Sequence, residues 1–237
     1  LVLKLSQRLM ALAQMVPAGA RVADIGTDHA LLPCYLVREK SAPYVIGVDV
    51  HQGPYERAQQ MVQEAHLQDK IELRLGDGLA VIKAGEVELV VIAGMGGATI
   101  QEILERAPHV INKLQKLILQ PMNNAETVRF WLQEHDWRIT QEELIYEDRQ
   151  YYQIIGAKPA LARELEAAYG PLLIQNRHPL LPELLNRDLE GLQIVLQQLA
   201  QSTQEDARLR YREYTQRLQK IKELKERLLD YLEGGKI

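Results

Sequence analysis

Three aspartates stand where short apolar runs give way to turns: Asp24 within Val22-Ala23-Asp24-Ile25-Gly26, Asp49 after residues 44–48, and Asp77 within Gly76-Asp77-Gly78. A fourth apolar run, 89–93, ends in Gly94-Met95-Gly96-Gly97. Carboxylates at the carboxyl ends of parallel strands accept hydrogen bonds from hydroxyl and amino groups, and ligands of open α/β sheets bind there. Glycines beside them let the backbone turn sharply and lie close to a flat ligand. Asp49 follows Asp24 by about 25 residues, close to the interval at which an acid takes ribose hydroxyls. Asp77 is placed to accept from an adenine amino group. The loop Gly26-Thr27-Asp28-His29-Ala30 lacks the later glycines of the dinucleotide fingerprint, and Asp28 would repel a pyrophosphate. The guest that fits better is a nucleoside carrying a cation, a description S-adenosylmethionine meets.

Alternating strands and helices must position these groups. Leu5, Leu9, Leu12 and Val16 recur at helical spacing until Pro17 and Gly19 end the run. Strands are expected over 21–25, 44–48, 71–75, 89–93 and 117–119, with helices over 30–39, from Gly53-Pro54 onward, and over 126–135. Such alternation predicts a right-handed, doubly wound, mostly parallel sheet with helices on both faces. Residues 138–145 and 151–157 read as two β runs joined by Glu147-Asp148-Arg149, an antiparallel hairpin at one edge.

The pattern changes after Lys158-Pro159. Residues 160–169 look helical, and Gly170-Pro171, His178-Pro179 and Pro182 mark a linker. Leu185, Leu189, Leu192, Leu196 and Leu199 form a heptad seam that Gln201-Ser202-Thr203 breaks. A second stripe follows with Tyr211, Tyr214, Leu218, Ile221, Leu228 and Leu232, Leu224 replacing the ideal position, where Lys225 sits. Two such helices predict an antiparallel, coiled-coil-like hairpin. The expected domains are therefore 1–159, which binds the nucleoside and does the chemistry, and 160–237, the helical hairpin.

Composition narrows the classes. The 237 residues are 46% hydrophobic and carry a formal net charge of −4, so no global basic field advertises nucleic acid and any such partner needs a local patch. The last helix supplies one, with Arg208, Arg210, Arg212, Arg217 and Lys220 among its cations. Cys34 is the only cysteine, which excludes an internal disulfide and agrees with a reducing cytoplasm. No apolar run is long enough to span a bilayer, no signal-like start is visible, and the histidines show no metal-ligand spacing. A cytoplasmic, metal-free protein is expected, acting as a monomer or weak dimer.

Several stretches together resemble the bacterial TrmK family of tRNA (adenine-N1)-methyltransferases: Lys4-Leu5-Ser6-Gln7-Arg8-Leu9, Ala23-Asp24-Ile25-Gly26-Thr27-Asp28-His29-Ala30, Leu32-Pro33, Gly76-Asp77-Gly78-Leu79, Ile92-Ala93-Gly94-Met95-Gly96-Gly97 and Leu117-Ile118-Leu119-Gln120-Pro121. The resemblance covers the whole chain, the helical hairpin included. It implies a class I (Rossmann-like) methyltransferase fold, S-adenosylmethionine as donor, and tRNA as partner, methylated on N1 of adenine 22 in the D arm. It also implies cofactor contacts at Asp24, Gly26, Thr27, Asp28 and His29, at Asp49 with Val50, at Asp77 and Gly78, and at Ala93, Gly94, Met95 and Gly96.

Such chemistry asks for alignment of nucleophile, methyl carbon and sulfur, and for exclusion of water. Methylation leaves positive charge on the base, which a nearby carboxylate stabilises. Asp28, with His29 shaping the pocket, is the candidate; contact with the methionine part of the cofactor, or capping of the next helix, explains both equally well. Ser6 and Arg8 are candidates for the substrate side, as are Gln120, Asn123 and Tyr152, with Arg210, Arg212 and Arg217 for phosphates. Met122 displaces the asparagine that can follow Gln-Pro in relatives, so the choice between Asn123 and Asn124 stays open. Two other functions fit the same residues: a methyltransferase with another RNA or a protein as acceptor, and a non-catalytic adaptor that uses the hairpin.

Overall fold

The central strands are continuous apolar runs because both of their faces are covered. The computed structural model describes residues 3–160, 163–201 and 205–233. The chain divides into two compact units, Leu1–Pro159 and Ala160–Ile237. In the first, the order is α1 (Gln7–Met15), β1 (Val22–Ile25), α2 (Leu31–Glu39), β2 (Val45–Asp49), α3 (Gln52–Glu64), β3 (Ile71–Leu75), β4 (Leu89–Met95), α4 (Gly97–Glu105), α5 (Pro108–Ile111), β5 (Lys116–Pro121), α6 (Ala125–Glu134), β6 (Trp137–Glu147) and β7 (Gln150–Pro159). The sheet order is β3-β2-β1-β4-β5-β7-β6. Strands β1 to β5 run parallel, and β7 inserts antiparallel between β5 and β6. This is the expected doubly wound sheet with its edge hairpin, and the order reverses between β1 and β4.

Alternation along each strand sorts its side chains into two cores. Ala23, Ile25, Val90, Ile92, Leu117 and Leu119 join Ile100, Val128 and Trp131 of α4 and α6 on one face. Val22, Leu89, Val91 and Ile118 join Leu12, Leu36 and Val62 of α1, α2 and α3 on the other. Asp24, between Ala23 and Ile25, therefore falls on the α1–α2 side.

Helix α1 is held at both ends by residues far along the chain. Ser6 caps its start, its hydroxyl accepting from the Leu9 N–H at 3.2 Å. The Glu147 carboxylate accepts from the N–H groups of Gln7 and Arg8 at 2.7 and 3.2 Å. At the other end the Lys116 ammonium donates to the Met15 carbonyl at 2.6 Å and to Gln141 Oε1 at 2.7 Å. Anion at the N-terminus and cation at the C-terminus both complement the helix dipole. Strand β5 thus starts at Lys116, one residue earlier than its apolar run, and helix α2 starts at Leu31 because Ala30 is left-handed, with φ of 52°.

The second unit holds α7 (Arg163–Tyr169), α8 (Pro171–Gln175), α9 (Leu181–Ala200) and α10 (Glu205–Glu233). Leu181, Leu185, Leu189 and Leu192 of α9 pack with Ile221, Leu224 and Leu228 of α10 and with Leu165, Tyr169 and Ile174. The buried seam is shifted from the expected one: it begins at Leu181, Leu196 and Leu199 are only half-buried, Leu224 is buried, and Tyr211 is 41% exposed. The expected break at Ser202 and Thr203 lies outside the described residues.

Gly97 begins α4 where a Cβ would stand 2.2 Å from the Asn124 carbonyl oxygen, whereas a Cβ on Gly191 in α9 would meet nothing within 4 Å. Gly97→Ala is expected to destabilise the first unit by about 1–3 kcal/mol. Gly191→Ala should stabilise the second by about 0.5–1 kcal/mol, less helix entropy being lost. Urea midpoints of the two variants check both signs.

Candidate functional site

The turn after β1 is shaped by three left-handed residues, Gly26, Asp28 and Ala30, with φ of 76°, 47° and 52°. At Gly26 the positive φ itself favours glycine, and a Cβ there would also require the Met95 methyl to move. The N–H groups of Gly26 and Thr27 both donate to the Val48 carbonyl, at 2.8 and 3.0 Å, which binds the turn to the end of β2. Asp49 completes the joint. One of its carboxylate oxygens accepts from the Asp28 N–H at 3.1 Å and the other from the His51 N–H at 3.0 Å.

Beside this joint, at the switch point between β1 and β4, opens a cleft of about 290 Å³. Asp24, Gly26, Thr27, Asp28 and His29 line one part of it, Ala93 and Gly94 another, and Arg8 with Leu9 of α1 a third. Asp24 is 5% exposed, and the Thr27 hydroxyl donates to it at 2.8 Å. Burial raises its carboxyl to about 6, the Thr27 hydrogen bond and the Arg8 charge pulling down and the Asp49 charge pushing up. Asp28 turns its half-exposed carboxylate outward to Arg57 of α3 at 2.8 Å, with His29 Nε2 3.6 Å away.

Arg8 lines this cleft, and Gln120, buried behind it, meets Arg8 rather than forming a separate substrate wall. Gln120 Oε1 accepts from Arg8 Nη1 at 2.8 Å and from the Gly94 N–H at 3.1 Å, and its Nε2 donates to the Pro121 carbonyl at 3.0 Å. Being fully buried with its amide committed, Gln120 holds Arg8 and Gly94 in place and presents nothing to a substrate in this arrangement. The Arg8 guanidinium lies 5.3 Å from the centre of the Tyr152 ring, a cation–π contact. Ser6 spends its hydroxyl on the start of α1. Of the two asparagines, Asn123 has its side chain alongside Gly96, 3.1 Å from where a Cβ would be, while Asn124 is left-handed at the start of α6.

The third strand end lies outside the lining of this cleft. Gly76 N–H donates to the Asp49 carbonyl at 2.9 Å, which brings Asp77 beside the end of β2. Asp77 is exposed and lies 3.3 Å from Arg106 of α4. Gly78 packs against Ile103, and Val50 is 56% exposed. Arg57, Arg106 and Glu147 were not legible as site residues, because each reaches its partner only through the packing of a helix or hairpin far away in sequence. Arg210, Arg212 and Arg217 are exposed on α10 of the other unit. Among the described residues no three His, Cys, Asp or Glu side chains gather as a metal site, and no helix is long and apolar enough to cross a membrane.

A carboxyl raised by folding from 3.8 to about 6 binds its proton more tightly in the native state, so its contribution is full below about pH 4 and is lost as pH rises through 6. That one group should withdraw about 3 kcal/mol from the ligand-free protein over that window. Asp24→Asn is expected to remove that loss, seen as the difference between the two proteins' urea midpoints from pH 4 to 7.5.

Residues 5–155 match the family described as methyltransferase domain. Over 95% of its length the chain is 35% identical to the tRNA (adenine(22)-N(1))-methyltransferase of Bacillus subtilis, covering 94% of that protein. A Streptococcus pneumoniae protein solved in complex with S-adenosyl-L-methionine superposes with a TM-score of 0.65 at 31% identity, over 94% of this chain and 100% of that one. TrmK of M. capricolum, solved with the cofactor product S-adenosylhomocysteine, gives 0.61 at 30% identity, over 94% and 98%. With its sheet order, its acid-lined cleft and likeness along nearly its full length, the chain belongs to the methyltransferase-domain family and, within it, to the TrmK family.

Proposed function

We propose that this protein is an S-adenosylmethionine-dependent methyltransferase that modifies N1 of adenine 22 in tRNA. The observation that carries the reading is the cleft at the switch point, lined by Asp24, Gly26 and Asp28 after β1 and by Ala93 and Gly94 of β4, in a chain alike along its length to an enzyme of that activity.

The residues present fit the cofactor. Each Asp49 oxygen takes one N–H and keeps a lone pair for a ribose hydroxyl. We assign the adenine to Asp77 and Gly78, which the Gly76–Asp49 hydrogen bond joins to the end of β2, with the exposed Val50, and Gly94 leaves room for close backbone approach. Bound there, the cofactor supplies a methyl group already activated by its sulfonium. N1 of adenine brings its own lone pair, so the protein needs no base for the transfer. Its work is to align the base, exclude water and stabilise the charge left on the methylated ring. Asp28 and His29, at the cleft mouth, are the groups we assign to that charge and to the pocket shape. Met95, Gly96, Asn123 and Tyr152 form the side facing the base, which must leave its stack to enter.

The exposed cations of α10 take tRNA phosphates. The enzyme works in the cytoplasm as a monomer or weak dimer.

Incubation of unmodified tRNA with labelled donor, followed by mapping of the modified base, should place one methyl on N1 of adenine 22; methyl on protein or on another base refutes the reading. In the same assay Asp28→Asn should lower turnover at least tenfold at saturating donor and tRNA. Charge reversal at Arg210, Arg212 and Arg217 together should weaken tRNA binding more than tenfold and flatten its salt dependence by about one unit per lost phosphate contact. Donor affinity, measured by calorimetry, should not move.

A further inference from the structure

The loop after β1 meets α3 through a charge pair that the methyl transfer itself does not require. Arg57 Nη2 donates to Asp28 Oδ1 at 2.8 Å, and its Nη1 lies 3.6 Å from where a Cβ on Gly53 would stand. The guanidinium is thus folded back over the start of its own helix, which begins at Gln52, just beyond the end of β2 at Asp49. That is the side of the sheet on which the cleft opens, and Asp28 is one of the cleft's lining residues. Both side chains are about half exposed, at 48% and 56%. An exposed pair of this kind holds loosely and is readily given up for a better partner. Among the described residues Arg57 has one carboxylate partner, where Arg74 and Arg106 have two each.

Carboxylates crowd this mouth. Asp24 and Asp28 line the cleft, Asp49 sits behind Asp28, and Asp77 follows β3. Of the cations, Arg8 is held by Gln120 and the Tyr152 ring, and Arg106 is shared between Asp77 and Glu102. His29 lies 3.6 Å from the other Asp28 oxygen. A base that leaves its stack swings about its backbone, so its phosphodiesters follow it to the mouth. Unless a cation meets them, their charge comes up against these acids.

We propose that Arg57 takes a phosphate of the nucleotide being methylated, passing from Asp28 to the phosphodiester as the tRNA docks. Its planar fork matches two phosphate oxygens at once, whereas a single nitrogen serves Asp28. The Asp28 carboxylate, its backbone still tied to Asp49, is then free to turn toward the base. The contact lies on the first unit and adds to the cations of α10. The proposal rests on the tRNA-methylation reading above. The rival anion for Arg57 is the carboxylate of the methyl donor.

Kinetics and binding with full tRNA test this on the full chain. Arg57→Met should raise KM for tRNA about 5- to 20-fold, with kcat falling less than KM rises. The slope of log affinity against log salt should shrink by about one unit. Donor affinity, by calorimetry, should match the wild type. A tRNA carrying one neutral methylphosphonate beside adenine 22, on the 5′ or the 3′ side, locates the contact. At one of the two sides the substitution should cost the wild type as much as Arg57→Met does, and cost the variant nothing further. Additive losses at both sides overturn the proposal. So does an unchanged KM, which leaves Arg57 as a surface partner of Asp28. Weakened donor binding overturns it too, and assigns Arg57 to the donor's carboxylate. Should Arg57→Met prove less stable in urea, Arg57→Gln repeats the comparison with the same outcomes. Wild-type protein that leaves adenine 22 unmethylated refutes instead the tRNA-methylation reading.

Discussion

A single carboxylate, that of Asp49, ties together the loops on one side of the cleft. At a switch point the loops after the two neighbouring strands leave toward opposite faces of the sheet, and a crevice opens between them. The loop after β1 would be free to fold into that crevice if nothing held it toward β2. Asp49 holds it through the Asp28 N–H, and through the His51 N–H it fixes the start of α3 as well. The Val48 carbonyl adds two more bonds to the same turn. These contacts offset the left-handed backbone of Asp28 and Ala30, a conformation costing of order 1 kcal/mol for each residue with a side chain.

Two buried charges in this unit have opposite fates. Lys116 is buried against the sheet, and both of its recorded partners, the Met15 carbonyl and Gln141, are acceptors from the protein itself. Desolvation lowers its pKa, but two of its three donors are used, and the result is a fastening between helix and sheet. Asp24 has Thr27 and no cation. Its cost is left standing in the empty protein, which is what a binding group looks like when stability is given up for affinity.

Much of the fold was legible because the central strands are so uniformly apolar. Leu89 to Ile92 cannot be an exposed strand or a helix surface, and the same holds for Leu117 to Leu119. The acids at the ends of β1, β2 and β3 were legible for the converse reason, as polar groups closing apolar runs. Lys116 was not read as part of its strand, since nothing local shows that a lysine there has two acceptors waiting. Ala30 was read as helix because alanine favours one; its left-handed backbone is imposed by the turn around Asp28. Arg8 was placed on the substrate side and Gln120 beside it. Their meeting over Gly94 depends on how α1 lies across β5 and β7, a matter of tertiary packing that spacing does not encode.

Helix α1 stands at the beginning of the chain, and the carboxylate that anchors its first turn lies 140 residues later. A ribosome releases the helix long before it releases the anchor, and for that interval the first turn of α1 lacks the Glu147 acceptor of its N–H groups. The wall of the cleft that carries Arg8 is therefore among the last parts of this unit to be assembled during synthesis. A nascent chain halted before the β6–β7 turn would already carry Arg8 and the acids of the first three strands, but neither Glu147 nor Tyr152 to steady the guanidinium.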